Sequence, residues 1–178
     1  QAYDELKELA EKAQIPVVNT LLGIGSFPGN HILNLGLLGM HGMAHANMSV
    51  QNADLIVAIG MRFDDRATGN TSSFAPGAKI VHIDIDPAEI GKNIPADIPI
   101  VGDVKDVLKM INKEIEPRNH SDWLAQLDEW RYEHPSLEIR QGDSLLPQYV
   151  LHQIHEVTQG DTIIVTGVGQ NQMWAAQH

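Results

Sequence analysis

The chain has 178 residues, 43% hydrophobic and 20% charged, which suits a globular domain or a domain with part of another. Its formal net charge of −11 disfavours nucleic acid and anionic membranes as partners, because phosphate-rich surfaces attract basic proteins. The absence of cysteine excludes disulfides, thiolate metal sites and cysteine nucleophiles. The apolar runs of the chain are far shorter than the ~20 residues of a membrane helix.

The first part of the chain predicts a helix, a strand and a glycine-rich segment. Apolar residues at helical spacing predict a helix over residues 2–14, which begins so close to Gln1 that we expect a longer parent protein. Pro16 ends this helix, and residues 16–20 read as a strand. Residues 21–42 hold too many glycines to be regular throughout and suggest a ligand-facing segment. A short helix is predicted over residues 44–53.

The central feature of the sequence is the apolar run of residues 55–59 and the loop that follows it. A continuous run of this kind is typical of a strand buried on both faces of a parallel sheet. Gly60 ends the run, and the next residues include Arg62, Asp64, Asp65 and Arg66. In open α/β sheets ligands bind beyond the carboxyl ends of the strands, and arginines there suit phosphates. The alternative is a solvated loop with local Arg–Asp pairs.

Two further strands complete the predicted sheet. Residues 79–84 are predicted to form a buried strand that ends at Asp84, which suits a ribose acceptor or, alternatively, a turn residue or helix cap before Pro87. Residues 98–101 form a short strand, and Asp103 is the expected N-cap of a helix that runs to about residue 115. The alternation of strands and helices predicts an α/β fold with a parallel sheet flanked by helices.

After residue 117 the pattern changes. A helix is predicted over residues 121–132, capped by Ser121 or Asp122, with Trp123 and Trp130 on one face. Residues 135–147 are polar and suggest an inter-domain connection. A helix over residues 147–158 and a strand over residues 162–166 then begin a second unit.

The histidines leave metal binding as an alternative. His41 and His45 lie four residues apart, and His152 and His155 three apart, a spacing that can place two ligands on one helix face. No third ligand accompanies either pair. His82 lies in an apolar strand and is interpreted as a hydrogen-bonded core histidine.

Long blocks of the sequence resemble one enzyme family. They are LGLLGMHG at residues 35–42, AIGMRFDDRATGN at 58–70, AKIVHIDIDPAEIGKN at 78–93 and VTGVGQNQMWAAQH at 165–178. In this order they resemble the catalytic subunit of acetohydroxyacid synthase, also called acetolactate synthase. The resemblance implies a thiamine diphosphate-dependent enzyme that joins pyruvate to pyruvate or 2-oxobutyrate with loss of CO₂, in branched-chain amino acid synthesis.

The resemblance also implies a domain arrangement and cofactors. Residues 1–117 correspond to part of the central FAD-binding domain, a Rossmann-like (DHS-like) fold without its first strand. Residues 118–146 correspond to a helix and linker, and 147–178 to the start of the thiamine diphosphate domain. FAD is structural in the family, and Mg²⁺ and most of the thiamine diphosphate site lie outside this chain. The resemblance further implies a homodimer or tetramer, a regulatory subunit, and a bacterial cytoplasmic or organellar location.

The family pattern assigns cofactor contacts, but no catalytic residue and no metal ligand, to this chain. The expected contacts are Thr20, Leu21, Leu38, Gly39, Met40, His41, Gly42, Gly60, Arg62, Asp64, Arg66, Asp84, Ile85, Glu89, Gly102 and Asp103 for FAD, and Val168, Gly169, Gln170 and Asn171 for thiamine diphosphate. Asp65 and Arg66 also resemble positions where herbicides bind. Asn171 departs from the family, which usually has His there; Asn keeps a hydrogen bond but does not titrate near neutral pH.

Three expectations concern the isolated chain: no turnover, weak FAD binding, and self-association through an exposed sheet edge. The alternatives are a related carboligase or oxidase, such as glyoxylate carboligase or pyruvate oxidase, and a non-catalytic nucleotide-binding module similar to sirtuin-like sheets. The block at residues 170–174 favours an enzyme, because a free-standing module has no use for the opening of a thiamine site.

Overall fold

The computed structural model describes residues 2–135 and 145–178. The strands in these ranges are β1 (Val17–Asn19), β2 (Asn34–Leu37), β3 (Leu55–Ile59), β4 (Lys79–Asp84) and β5 (Ile98–Val101). The helices are α1 (Tyr3–Ala13), α2 (Ala44–Gln51), α3 (Asp65–Thr68), α4 (Val104–Glu114), α5 (Ser121–Glu133), α6 (Pro147–Thr158) and α7 (Gln170–Gln177). The predicted α/β architecture with parallel strands and flanking helices is confirmed.

The described strands form two parallel sheets. One pairs β1 with β2, and the other has the order β3-β4-β5. In the second sheet Ala58 is opposite His82, and Ile83 is opposite Ile100. β2 lies inside the glycine-rich stretch, where no strand was predicted. Its Gly36 has a positive φ of 83°, and such a glycine weakens the sequence signal of a strand.

Helices cover both faces of the first sheet. Val17 packs with Ala10 of α1, whereas Val18 packs with Met43, Ala46 and the α5 residue Leu127. Adjacent residues of a strand point to opposite faces, so α1 lies on one face and α2 with α5 on the other. The predicted apolar face of α5 is confirmed, since Trp123 and Trp130 pack edge to face in the same cluster.

β3 is less buried than its sequence predicts. Ala58 is the one residue of the strand that is fully buried, and Leu55 is half exposed. The prediction that the run is buried on both faces is therefore wrong. The physical reason is that β3 is an edge strand beside an open cavity, so one side of it contacts no neighbouring strand among the described residues.

Other predictions fail because they depended on local sequence alone. Residues 162–166 do not form a strand: Ile163 is 91% exposed, and none of the described strands pairs with this segment. A run of β-branched residues forms a strand only where a partner strand makes hydrogen bonds with its backbone groups. The N-cap of α5 is His120 rather than Ser121 or Asp122, and its side chain makes no capping bond. Most of the predicted connection at residues 135–147 lies outside the described residues.

Candidate functional site

The loops that follow β1, β2 and β3 meet at one edge of the molecule. Leu38 N donates to Asn19 O at 2.9 Å, so the end of β2 is tied to the end of β1. Met40 N donates to Arg66 O at 2.9 Å, which ties the loop after β2 to the loop after β3. The carboxyl ends of strands from both sheets therefore lie together, where open α/β sheets bind ligands.

Gly39 is held in a conformation that other residues rarely adopt. Its φ is +108°, and a Cβ at this position would overlap the carbonyl group of Arg66 and lie 3.0 Å from Ala67 Cα. The amide side chain of Asn47 in α2 fixes its backbone: Gly39 N donates to Oδ1 at 2.8 Å, and Nδ2 donates to Gly39 O at 3.0 Å. This position requires glycine because two backbone segments touch there.

The loop after β3 presents an open glycine and two cations. Gly60 has φ +60°, and no atom lies within 4 Å of a Cβ built on it, so a ligand can approach its backbone. Arg62 pairs with Asp64 at 3.4 Å but remains exposed. Arg66 Nη1 lies 3.9 Å from the sulfur of Met40, a weak contact. Both guanidinium groups are accessible to an anionic ligand.

Phe63 fixes the shape of this loop. It is buried with a positive φ of 52°, which is unusual for a bulky residue. Its ring packs edge to face against Phe74 and His82. His82 is fully buried; it donates from Nε2 to Met61 O at 2.9 Å and accepts from Gly91 N at Nδ1 over 3.3 Å. His82 is therefore a satisfied core histidine, as predicted.

The ends of β4 and β5 contribute carboxylates that already have structural roles. Asp84 is buried, and its Oδ1 accepts from Asp86 N at 2.9 Å, which is the turn role considered for it. Gly102 N donates to Asp84 O at 3.0 Å. Asp103 Oδ1 accepts from Lys105 N at 2.8 Å and caps α4, as predicted. Ile85 is exposed, and Glu89 pairs with Lys92 at 2.8 Å.

A cavity of about 980 Å³ reaches this edge. The predicted cofactor residues in its lining are Thr20, Leu38, Gly60 and Asp103. Met40, His41, Arg62, Arg66 and Asp84 lie outside the lining. The strand-end residues therefore divide into a group that walls the cavity and a group on the surface around it.

The predicted thiamine diphosphate residues begin α7. Val168 is almost fully exposed, and Gly169 is the N-cap with φ +144°. The contact of this helix with the strand ends is made by its last residue, where Gln177 Nε2 donates to His41 O at 2.7 Å. Gln170 and Asn171 are at the other end of the helix from that contact.

The histidine pairs show no metal geometry in the described ranges, where no group of three His, Asp or Glu side chains is arranged to hold an ion. His41 is exposed, whereas His45 is buried and its Nδ1 has no hydrogen-bond partner. Burial lowers the pKa of His45, and the charge of Arg131 lowers it further.

Some residues that shape the site carry no signal in the sequence. Asn47 clamps Gly39 from a helix, and Asn93 Nδ2 donates to Arg62 O at 2.9 Å from a segment 31 residues away. Asn19 is buried at the end of β1 and accepts from Ser26 Oγ at 3.1 Å. Each of these amides acts through a contact that depends on the tertiary fold.

Comparison with known proteins gives one family. Residues 1–111 match the family model described as thiamine pyrophosphate enzyme, central domain. Among curated proteins, "Acetolactate synthase" of Mycobacterium bovis is 49% identical over 99% of this chain. "Acetolactate synthase 1, chloroplastic" of Nicotiana tabacum is 45% identical over 100% of this chain, and "Probable acetolactate synthase 2, chloroplastic" of Oryza sativa is 45% identical over 98%.

The chain spans less than a third of the length of these relatives: 30% of the mycobacterial protein and 28% of the tobacco and rice proteins. None of the helices in residues 2–135 and 145–178 has the length and apolar character that crossing a membrane requires.

Proposed function

The chain belongs to the thiamine pyrophosphate enzyme family, whose central domain its residues 1–111 match, and from that premise we propose that it acts as part of an acetolactate synthase. That enzyme condenses two pyruvates, or pyruvate with 2-oxobutyrate, and releases CO₂. The observation that carries the proposal is an identity of 45–49% to acetolactate synthases of bacteria and plants, sustained over nearly the whole chain. We further propose that residues 1–117 form the FAD domain, 118–146 a helix and linker, and 147–178 the beginning of the thiamine diphosphate domain.

The strand-end edge is the proposed FAD site. Gly60 lines the cavity, and no atom lies within 4 Å of a Cβ built on it, so a dinucleotide could approach its backbone closely. Arg62 and Arg66 would pair with the diphosphate, while the strand-end groups near Asp84 and Gly102 would face the adenosine. The remaining proposed contacts are Thr20, Leu21, Leu38, Gly39, Met40, His41, Gly42, Asp64, Ile85, Glu89 and Asp103.

The described residues do not hold a complete site for thiamine diphosphate. Val168, Gly169, Gln170 and Asn171 are proposed to contact it, but the exposure of Val168 and the lack of a three-ligand cluster in the described ranges do not fit a formed metal–diphosphate site. No catalytic step is therefore assigned to this chain. Thiamine diphosphate would supply the carbanion chemistry in the whole protein, and we expect the 178-residue chain alone to form no acetolactate.

The proposed partners follow from the same relatives. We propose that the whole protein is a homodimer or tetramer with a regulatory subunit. Its location would be the bacterial cytoplasm or an organelle, and the names of the rice and tobacco relatives, which say chloroplastic, support the second option.

The FAD site is tested by titrating the chain with FAD and with riboflavin while recording flavin fluorescence. We expect FAD to bind weakly and riboflavin to bind less tightly, because riboflavin has no diphosphate for the arginines. Arg66→Gln should weaken FAD binding about tenfold, since it removes a charge-assisted contact. Lys113→Gln is the matched control, because it also removes one positive charge but lies in the last turn of α4, at the other end of that helix from Asp103. It should leave the affinity for FAD unchanged.

Equal affinity for riboflavin and FAD, or no fluorescence change at high micromolar FAD, would contradict the FAD site. The activity itself is tested on the whole protein that carries this chain, with Mg²⁺, FAD and thiamine diphosphate. Acetolactate formed from pyruvate is expected. Turnover of glyoxylate without acetolactate would favour a glyoxylate carboligase, and consumption of O₂ with pyruvate would favour a pyruvate oxidase.

A further inference from the structure

The loop from Met61 to Asp64 is held by side chains that come from other parts of the chain. His82 Nε2, 21 residues away in β4, donates to Met61 O at 2.9 Å. Asn93 Nδ2, 31 residues from its partner, donates to Arg62 O at 2.9 Å. Two successive carbonyl groups of the loop are therefore bound from outside it, and the path of the backbone through Arg62 is set by those contacts.

The peptide that follows Arg62 leads into a strained residue. Phe63 has φ +52°, and its buried side chain packs with Ala58 and Ile94. A bulky residue keeps such a conformation only where the surrounding contacts impose it. The carbonyl group that Asn93 binds belongs to the peptide between Arg62 and Phe63. Burial thus fixes one side of this peptide, and the hydrogen bond from Asn93 fixes the other.

Asn93 is itself held in place on both sides. Gly91 N donates to His82 Nδ1 at 3.3 Å, and Ile94 is buried in the same cluster as Phe63. Asn93 is nevertheless exposed. Its replacement therefore removes a hydrogen bond to the loop while removing little packing from the core.

The guanidinium group of Arg62 depends on the backbone for its position. Arg62 Nη2 lies 3.4 Å from Asp64 Oδ2, but both side chains are exposed, and an ion pair of this kind is weak in water. Asp64 also caps α3, where its Oδ1 accepts from Ala67 N at 3.2 Å. An anionic ligand can take the guanidinium from such a pair, whereas the carbonyl of Arg62 stays bound to Asn93.

We propose that Asn93 is a positioning residue of the cofactor site. By holding the carbonyl group of Arg62, it keeps the Arg62 side chain directed for the diphosphate of a dinucleotide on the loop that begins at Gly60. This inference rests on the proposed FAD site. It makes Asn93 a determinant of specificity, since its effect is confined to ligands that carry a diphosphate.

The first test titrates FAD and riboflavin into the wild type and Asn93→Ala, with flavin fluorescence as the readout. We expect Asn93→Ala to weaken FAD binding about fivefold and to leave riboflavin binding unchanged. Asn119→Ala is the matched control and should change neither affinity. Asn119 is also exposed, its Oδ1 accepts from Ser121 N at 2.9 Å, and it lies outside the cavity lining. Equal weakening of FAD and riboflavin would indicate a general structural effect and would overturn the inference.

The second test asks whether Asn93 acts through Arg62. In Arg62→Gln the guanidinium is absent, so adding Asn93→Ala should cause no further loss of FAD affinity. A merely structural role for Asn93 would lower the affinity by the same factor in both backgrounds. That result would show that Asn93 does not position Arg62.

The third test needs no FAD. Trypsin cleaves the bond after Arg62 when the loop opens locally, so Asn93→Ala should raise the initial rate of this cleavage about fivefold. Cleavage after the exposed Arg118 is the internal reference and should be unchanged. Mass spectrometry of the first peptides released measures both rates, with Asn119→Ala again as the control.

The outcomes separate this inference from the proposed function. A wild-type chain that binds no FAD would contradict the FAD site, and the tryptic rates would still decide whether Asn93 holds the loop. An unchanged rate of cleavage after Arg62 in Asn93→Ala would overturn the inference, whatever the affinity for FAD.

Discussion

Gly39 and Arg66 are in backbone contact, although 26 residues and a helix separate them in the chain. No side chain fits between them: a Cβ on Gly39 would overlap the Arg66 carbonyl oxygen. The same oxygen accepts from Met40 N at 2.9 Å. This contact aligns the loop after β2 with the loop after β3, and so places the proposed cofactor residues of both sheets at one edge.

The first prediction concerns that contact. Gly39→Ala should lower the free energy of unfolding by about 2–3 kcal/mol, because it adds a clash and a strained positive φ. The melting temperature should fall by roughly 4–10 °C. Gly29→Ala is the control, since no atom lies within 4 Å of its Cβ, and it should change the unfolding free energy by less than about 0.5 kcal/mol. Equal urea midpoints for the two variants would contradict the close approach.

The second prediction concerns the amide clamp on the same glycine. Asn47→Ala removes both hydrogen bonds to Gly39 and should cost about 1–3 kcal/mol of unfolding free energy. Gln126→Ala removes an exposed side-chain contact on α5 and should cost less than about 0.5 kcal/mol. Urea denaturation of both variants measures the difference, and a loss for Asn47→Ala no greater than that for Gln126→Ala would show that the clamp is not stabilising.

The third prediction concerns the cap that Asp103 provides for α4. As the N-cap of α4 its side chain accepts from backbone N–H groups, which Asn can also do. Asp103→Asn should therefore keep stability, whereas Asp103→Ala should lose about 1 kcal/mol. Thermal unfolding measures both. If Asp103→Asn is as unstable as Asp103→Ala, the cap does not act through an acceptor oxygen.

The fourth prediction is a pH dependence at His45. Burial lowers the pKa of His45 in the folded protein below its ordinary value of 6.5. The folded state therefore binds fewer protons than the unfolded state, and stability decreases as the pH falls through 6.5 toward the lowered pKa. Above that range the contribution is fully present.

Urea unfolding of the wild type and of His45→Gln from pH 8 to pH 5 tests this dependence. The wild type should lose more stability than the variant over this interval, and the difference at pH 8 serves as the reference for packing changes. Parallel curves for the two proteins would show that His45 does not couple protonation to folding.

The local elements were accessible from the sequence because short-range physics sets them. Apolar spacing predicted α1, helices were also predicted at the positions of α2 and α6, the continuous runs predicted β3 and β4, and an acidic residue after a strand predicted the cap at Asp103. The order of strands and helices predicted a parallel α/β fold, and the motif blocks identified the family. Because Gly60, Arg62 and Arg66 come directly after a predicted strand, the sequence also indicated them as candidates for a cofactor site.

The tertiary structure alone decided which groups meet. The Gly39–Arg66 contact, the Asn47 clamp and the partners of His82 all join residues far apart in the chain, and no periodicity encodes such pairs. Whether β3 is buried, and whether residues 162–166 form a strand, also depended on the presence of a neighbouring strand. A sequence reports the preference of a segment for an extended form, but pairing and burial are properties of two or more segments together.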